Sequence, residues 1–579
     1  MTLRLIGLGW FGLVAAKTYL DLSPSAKVII LDSSSTIGGV WAEHRVYPGL
    51  KSNNLLGTYE YSDFPMDEET FNVQRGQHIP GQAIHDYLQK YAEAFDLFRR
   101  IRFNSKVVVA EKHGDEGWLL MIREEKCNEI DRKLLARKVI IATGLTSEPF
   151  LAQLDGIAKF DAPLFHCKDF AQHTDSLISS KNVVVYGGGK SGWDMAYTYA
   201  SAGVKVDWVI RDSGRGPAWM SPPYVTPLKK WLEKLVHTRF LTWFSPCIWG
   251  DADGYSGIRR FLQGTFIGRW IVRSFWWILA NDVLSLNNYD AHPTTAKLKP
   301  WTNIFFTGSS ASILNYPTDF FDFVRDGQIK VHIAEITHLS GGTVHLATGE
   351  HLETDTLVCC TGWKYSPPIV FHPPGSEISL GLPHVSHDDL GSQISDADVI
   401  ILERFPILKD QPTPQEPTVE SRRVESAFKQ SVNQPFRLYR FMVPPSNIES
   451  HNIGFAGMLL NFSTPLVAQT QALWLAAYLD GHLRINKTQE EIMKETILHS
   501  QFGKWRCSQG SGSRFPDFAF DALPYLDLLL GDLGLERHRK RWWWEEWFQA
   551  YGPEDYKHLV LEWKRRLASN RTFTENQKE

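Results

Sequence analysis

The N-terminal apolar run LRLI at 3–6 gives way to Gly7-Leu8-Gly9-Trp10-Phe11-Gly12, then to the helical stretch LVAAKTYLDL, then to a second apolar run AKVIILD that ends on Asp32. Two short apolar runs separated by a glycine turn and a longer helix-like segment predict a βαβ unit. The pattern returns at KNVVVYGGGKSGWDMAYTYASAGVKVDWVIR, with Gly187, Gly189 and Gly192 between strand and helix and Arg211 at the end of the second strand. Between the two units, residues 104–144 read as short strands joined by the polar turns EKHGDEG and REEKCNEIDRK, closing on KVIIATG. That ending, with Thr143 and Gly144, is matched by DTLVCCTGW at 355–363, with Thr361 and Gly362. Two such endings predict two chain crossings between a first domain and an inserted second one.

Later segments are patterned differently. From Pro217 to about Pro300 the chain is aromatic and helix-like, with Trp219, Trp231, Trp243, Trp249, Trp270, Trp276 and Trp277. An aromatic insert of this kind predicts the lining or cover of an apolar pocket. Within it, FIGRWIVRSFWWILANDVLSL (266–286) is broken by Arg269, Arg273, Asn281 and Asp282, too charged for a spanning helix. It reads as an amphipathic helix of the insert, with a peripheral membrane contact as the alternative. The Pro-rich, polar stretch 408–420 reads as an exposed linker, HNIGFAGMLLN after 450 as a last strand and turn, and TPLVAQTQALWLAAYLDG as a capped helix ending at Gly481. The tail from 485 reads as amphipathic helix with a frayed, charged end.

The chemistry of the two glycine turns is physical. GxGxxG after a strand and before a helix allows a tight turn, brings the backbone close to a pyrophosphate and aims the helix N-terminus at it. Gly7, Gly9, Gly12 and Asp32, which follows Gly12 by the 20 residues expected for a ribose-binding acid, therefore predict a dinucleotide site. The second turn has Arg211 where an acid would favour a free ribose hydroxyl; an arginine suits a 2′-phosphate, so NADPH is expected there. Lys190 and Ser191 stand at the start of its helix, where a cation strengthens pyrophosphate binding and a hydroxyl either donates to phosphate or caps the helix. A P-loop would need glycine at 184, and Val184 stands there. The first turn, with the closing GFAG at 454–457, suits FAD. Two facing redox cofactors imply an oxidoreductase.

Composition narrows the class. A chain of 579 residues needs two or three packed units. Lys and Arg number 61 against 65 Asp and Glu, and only ERHRKR at 536–541 concentrates positive charge, so a nucleic-acid partner is not expected. Six cysteines without CxxC or metal-ligand spacing exclude a dithiol redox centre and a metal site, and fit reduced thiols in the cytoplasm. With a strand and turn already at 2–12, no leader peptide is expected ahead of the fold.

With GLGWFG, Gly38-Gly39-Val40-Trp41 (GGxW), YPGLKSNNLLGTYEYSDFPM at 47–66, ATG at 142–144, CTGW at 360–363 and QTQALW in the last capped helix, the chain resembles the class B flavin monooxygenases. That group holds the flavin-containing and the type I Baeyer–Villiger monooxygenases, and the chain is most similar to fungal members of secondary metabolism. The resemblance implies an α/β fold of two Rossmann-like domains: FAD-binding parts at 1–163 and 353–484, an NADPH-binding domain at 164–352 with the helical insert at 217–300, and a helical extension at 485–579. It implies that Gly39, Trp41, Thr143, Gly144, Thr361, Gly362 and Gln471 serve the cofactors, and that Asn53, with Asn54 as the alternative, lies beside the reactive part of the flavin. The family fingerprint falls on FDAPLFHCKDF, with Phe160, His166 and Phe170 in register and Ala162 in place of glycine. The second loop carries Lys190 where the family usually has asparagine.

The activity implied is reduction of FAD by NADPH, formation of a flavin hydroperoxide with O2, and transfer of one oxygen to a bulky small-molecule substrate by N- or S-oxidation, hydroxylation or epoxidation. Baeyer–Villiger oxidation of a ketone is the alternative. Arg45 and YPG speak for it, while Asn53 in place of an acid and Phe170 in place of tryptophan speak against it. A plain NADPH-dependent flavoprotein reductase would be expected to show CxxC, which is lacking.

Overall fold

A computed structural model describes residues 2–114, 117–124, 132–225, 229–385, 390–412 and 434–576. Most of the expected turn REEKCNEIDRK and the part of the 408–420 linker beyond 412 lie outside the described residues. In chain order the elements that build the site are β1 (Thr2–Ile6), α1 (Trp10–Leu22), β2 (Lys27–Leu31), β3 (Lys51–Leu55), β4 (Ile101–Arg102) and β5 (Lys138–Ile141). Then come β6 (Leu164–His166), β7 (Asn182–Tyr186), α2 (Lys190–Ser201), β8 (Lys205–Ile210), α3 (Leu232–Val236), α4 (Phe266–Asn287), β9 (Ile329–Ile333) and β10 (Thr356–Cys359). The chain closes through β11 (Ile453–Phe455), α5 (Thr464–Leu479), α6 (Gln489–Arg506) and α7 (Ala522–Leu533).

These strands make two five-stranded sheets, ordered β11-β5-β1-β2-β4 and β6-β10-β7-β8-β9, and every neighbouring pair in both is parallel. Parallel neighbours need crossovers, which α1 and α2 supply. The second sheet is drawn entirely from the chain between β5 and β11, so the first sheet is completed only after the second. The strands 105–112, 118–124 and 132–136 form an antiparallel meander beside the first sheet, joined by 370–372.

Register places both glycine turns at the carboxyl ends of their sheets, where open α/β sheets bind ligands. Ile6 pairs with Leu31 and Ile141, so Gly7 (φ +114°) meets the Ala142 carbonyl, 2.3 Å from where a Cβ would stand. Tyr186 pairs with Val209 and Cys359, and Gly187 (φ +131°) meets the Cys360 carbonyl at the same 2.3 Å. The two turns are built alike because only glycine adopts these angles without strain.

The aromatic insert lines the small apolar cavity described below, through Trp219 and through Leu232, Val236, Leu279 and Val283, and its other tryptophans do different work. Trp243, Trp249 and Trp276 are buried; Trp249 meets Phe441, Phe502 and Phe518 edge-on, with ring centroids 5.4, 5.6 and 5.0 Å away. Trp276 meets Phe520 at 4.7 Å. The insert and the C-terminal extension thus share one aromatic core. Of the seven tryptophans, Trp219 lines the cavities described below. The outer face of α4 is different: Phe266 is 75% exposed, Trp270 63% and Trp277 68%. Among the described residues no helix is long and apolar enough to cross a membrane.

Candidate functional site

A groove of about 790 Å³ opens above the first sheet. Gly7, Gly9, Asp32, Gly39, Thr143 and Gly144 line it, as does Gly457 from the turn after β11. Asp32 is held by its own turn: its two carboxylate oxygens accept from Leu8 N and Ser34 N, each at 2.7 Å. Burial raises its pKa, and the Ser34 and Leu8 amides oppose that rise. Two polar atoms on the groove wall, Thr143 Oγ1 and Asn461 Oδ1, are buried without a hydrogen-bond partner among the described residues. Buried polar atoms are rarely left so, and the pair fits a polar ligand in this groove.

Gly12, Trp41 and Gln471 stand behind the wall. A Cβ on Gly12 would lie 1.9 Å from the Gly7 carbonyl oxygen, so this glycine lets α1 pack on the turn. Gln471 is fully buried; its Oε1 accepts from Gly457 N at 3.0 Å and its Nε2 donates to the Tyr525 hydroxyl at 2.8 Å. It holds the turn that lines the groove. Trp41 ends the turn after Gly39, and His85 Nδ1 lies 3.0 Å from its carbonyl oxygen.

A second groove, about 530 Å³, lies over the second sheet and is lined by Gly187, Gly189, Arg211, Thr361 and Gly362. Sequence reasoning missed two cations on its wall, Arg215 and Arg514. Burial, with Arg514 beside it, pulls the Arg215 guanidinium down to about 10, and it remains charged at neutral pH. Three guanidiniums around one groove give it the charge to attract a multiply charged anion. Arg215 lies four residues past Arg211 in RDSGR and was legible there; Arg514 arrives from the C-terminal extension and was not. The structure does not bring Lys190 or Ser191 to this wall. Lys190 pairs instead with Asp194 one turn along α2, and its Nζ reaches Asn315 Oδ1 at 3.0 Å. Gly192 packs as Gly12 does, its Cβ position 2.1 Å from the Gly187 carbonyl oxygen.

A small cavity of about 70 Å³ adjoins the second groove, with walls mostly of Leu, Val, Ile, Phe and Trp side chains. It shares Trp219 with the second groove, and its Phe462 follows Asn461 of the first. Its polar lining includes Asn53, Asn54 and Glu233. The two asparagines differ. Asn54 Nδ2 donates to Glu233 Oε1 at 2.5 Å and to the Phe462 carbonyl at 3.0 Å. The half-buried Asn53 amide has no partner among the described residues. Glu233, from the first turn of α3, was missed by sequence reasoning because it belongs to no motif.

The geometry agrees with the comparisons. Residues 2–245 match the flavin-binding monooxygenase-like family. Across 96% of this chain and 97% of its relative, the chain is 34% identical to the FAD-dependent monooxygenase rstn6 of Aspergillus nomiae. It is also 34% identical to the FAD-dependent monooxygenase resA of Aspergillus sclerotiorum, over 96% and 97% of the two chains. A closed cyclohexanone monooxygenase structure superposes with a TM-score of 0.58 at 15% identity, covering 92% of this chain and 98% of that one. An S-allyl-L-cysteine S-oxygenase from Allium sativum gives 0.52 at 15% identity, covering 99% and 93%. These last two share the fold. On the full-length identity to the fungal enzymes, the chain belongs to the class B flavin monooxygenase family.

Proposed function

We propose that the chain is an FAD- and NADPH-dependent monooxygenase that transfers one atom of O2 to a small molecule by electrophilic oxygenation. The observation that carries this reading is the small apolar cavity that shares Trp219 with the second groove, has Phe462 next to Asn461 of the first, and holds the Asn53 amide, unpartnered among the described residues. FAD held in the first groove, with NADPH in the second as the source of electrons, would supply the chemistry that divides O2 between substrate and water. Gly7, Gly9, Gly39 and Gly144 would cradle it by backbone, Asp32 would meet its ribose, and Thr143 Oγ1 and Asn461 Oδ1 would gain partners from it. Arg211, Arg215 and Arg514 take the NADPH phosphates. The NADPH-binding chain, 164–352, then sits as an insertion between FAD-binding parts 1–163 and 353–484.

Asn53 offers both a donor and an acceptor without a charge change, which suits orienting neutral oxygen species. The apolar walls exclude water that would waste the reducing equivalents. A cavity of about 70 Å³ receives the reacting end of a bulky substrate, with the body outside it or accommodated by movement of the insert. The exposed Phe266, Trp270 and Trp277 face supports peripheral contact with a membrane surface.

Incubating the enzyme and NADPH under isotopically labelled O2 with a producing-cell extract is expected to give a product that gains one labelled oxygen. No labelled product sinks the monooxygenase reading, and a ketone converted to an ester replaces electrophilic oxygenation by Baeyer–Villiger insertion. Asn53→Ala is expected to lower labelled product per NADPH by on the order of 10² while NADPH oxidation continues; unchanged yield removes its role. Arg211→Ala is expected to raise KM for NADPH roughly 10- to 100-fold and leave that for NADH within about three-fold, the size of a lost charge-assisted phosphate bond. Equal effects on both would show that Arg211 does not read the 2′-phosphate.

A further inference from the structure

Among the described residues Glu233 is the one ionisable side chain lining the small cavity. Its Oε1 accepts from Asn54 Nδ2 at 2.5 Å and meets the Thr58 hydroxyl; its Oε2 accepts from Leu55 N at 3.2 Å, and Trp231 adds a further donor. One carboxylate from the helical insert thereby gathers the last two residues of β3, Asn54 and Leu55, and Thr58 of the turn that follows. The Phe462 carbonyl takes the second Nδ2 proton of Asn54 at 3.0 Å, so two acceptors fix which end of that amide points away from the cluster. α3 is also tied to α5: His237 Nδ1 lies 2.7 Å from the Glu233 carbonyl oxygen and its Nε2 meets Ser463 Oγ.

We propose that Glu233 is a positioning residue for oxygenation, clamping the Asn54–Thr58 turn to the helical insert so that the adjacent Asn53 amide stays at the cavity wall and water stays out. The proposal rests on the monooxygenase reading of the site. The clamp needs the anion. Every nitrogen that meets the carboxylate is a donor, and protonation of Oε1 leaves Asn54 Nδ2 facing a hydroxyl. The Thr58 hydroxyl has an alternative acceptor in the Leu55 carbonyl at 3.0 Å, to which it turns when the Glu233 oxygen no longer accepts from it.

Burial pushes the Glu233 carboxyl up to about 7, with Thr58, Asn54, Leu55 and Trp231 pulling against it, so the clamp changes state near neutral pH. Its titratable surroundings stay neutral there: burial pushes Tyr59 up to about 12 and pulls His237 and His78 down to about 4. Lys234, next in α3, turns its Nζ over the Trp231 ring, 4.8 Å from the centroid. Function and stability then run in opposite directions. The clamp forms as pH rises through about 7. The stability contribution of an acid whose folded pKa is raised above its ordinary 4.5 is full below 4.5 and lost as pH rises to about 7.

The test uses the FAD-loaded full chain with NADPH and dissolved O2 and no organic substrate, following NADPH + H⁺ + O2 → NADP⁺ + H2O2 from about pH 6 to about pH 9. Peroxide release by the wild type is expected to fall roughly ten-fold as pH rises through about 7, and by Glu233→Gln to stay high and flat. The variant's Tm relative to wild type is expected to rise as pH goes from 4.5 to about 7 and to level off above it. A flat wild-type profile, the same inflection in Glu233→Gln, or a Tm difference independent of pH overturns the proposal. If Glu233→Gln fails to fold, Thr58→Val decides: removing a donor is expected to move the inflection to higher pH, and an unmoved inflection overturns the clamp. An FAD-loaded enzyme that oxidises no NADPH at any pH overturns the monooxygenase reading itself, an outcome distinct from a flat profile.

Discussion

Gly12→Ala is expected to yield protein that neither retains FAD nor folds stably, whereas Gly9→Ala is expected to fold and purify without flavin. The contrast follows from where each new Cβ would stand. At Gly12 it would lie 1.9 Å from the Gly7 carbonyl oxygen, 2.9 Å from its carbon and 3.1 Å from Leu5 Cδ2. The obstruction is backbone of the turn itself, which cannot rotate away as a side chain can. Relief requires α1 to lift from β1, and α1 is buried along most of its length. Overpacking of this kind costs about 3 kcal/mol or more, a large part of the ~5–15 kcal/mol that holds a domain together. At Gly9 the nearest atom to the new Cβ is Gly39 Cα at 3.9 Å, an ordinary contact, so the fold tolerates it. That methyl instead enters the groove, where a pyrophosphate needs close approach to the backbone. Far-UV circular dichroism melting and flavin absorbance after gel filtration separate the two effects. A yellow, normally melting Gly12→Ala protein would refute the packing role, and a flavin-loaded Gly9→Ala protein would refute the groove assignment.

The two glycine turns were legible because their spacing is local: three glycines, a helix start and a strand end lie within one βαβ unit, and period and turn chemistry report such units directly. The small cavity was less legible. Asn53 and Asn54 are adjacent in sequence, yet Asn54 is spoken for by Glu233 and Phe462, residues far along the chain that no spacing rule connects to it. Arg514 is likewise brought to the second groove by tertiary packing. Lys190 is the opposite case. Asp194 stands at i+4 on the same helix face, and that local pairing, readable in the sequence, holds the lysine off the wall of the second groove. The tryptophans of 217–300 show what composition leaves open: aromatic density predicts apolar contact but does not say with what, and while Trp219 lines the small cavity, Trp249 and Trp276 pack against the C-terminal extension.

That extension makes the second large prediction. Arg239→Ala is expected to destabilise the protein by about 3–5 kcal/mol and to loosen the insert that carries Glu233. Arg239 is fully buried at the start of the short helix 239–243. Its Nη1 donates to Asp527 Oδ2 at 2.5 Å and its Nη2 to Asp527 Oδ1 at 3.0 Å, while its Nε donates to Glu546. Nη2 also donates to the Arg537 carbonyl at 2.9 Å. One guanidinium therefore joins the insert to α7 and to the segment after it, and removing it leaves two buried carboxylates without their cation. The cost comes from that uncompensated charge more than from the lost contacts. Arg239→Met with Asp527→Leu, which removes cation and carboxylate together, is expected to recover part of the loss, since replacing a buried pair by apolar groups is often near neutral. Glu546 remains charged in the double variant, so recovery is expected to be incomplete. Urea unfolding of the three proteins measures this directly. A double variant no better than Arg239→Ala would mean that the network works through shape and hydrogen-bond geometry, and a single variant within about 1 kcal/mol of wild type would mean that the extension does not depend on it. Since Glu233 and Arg239 flank the same turn of the insert, a strong loss at Arg239 also predicts that the peroxide leak rises in parallel with the loss of stability, the two being coupled through the position of α3.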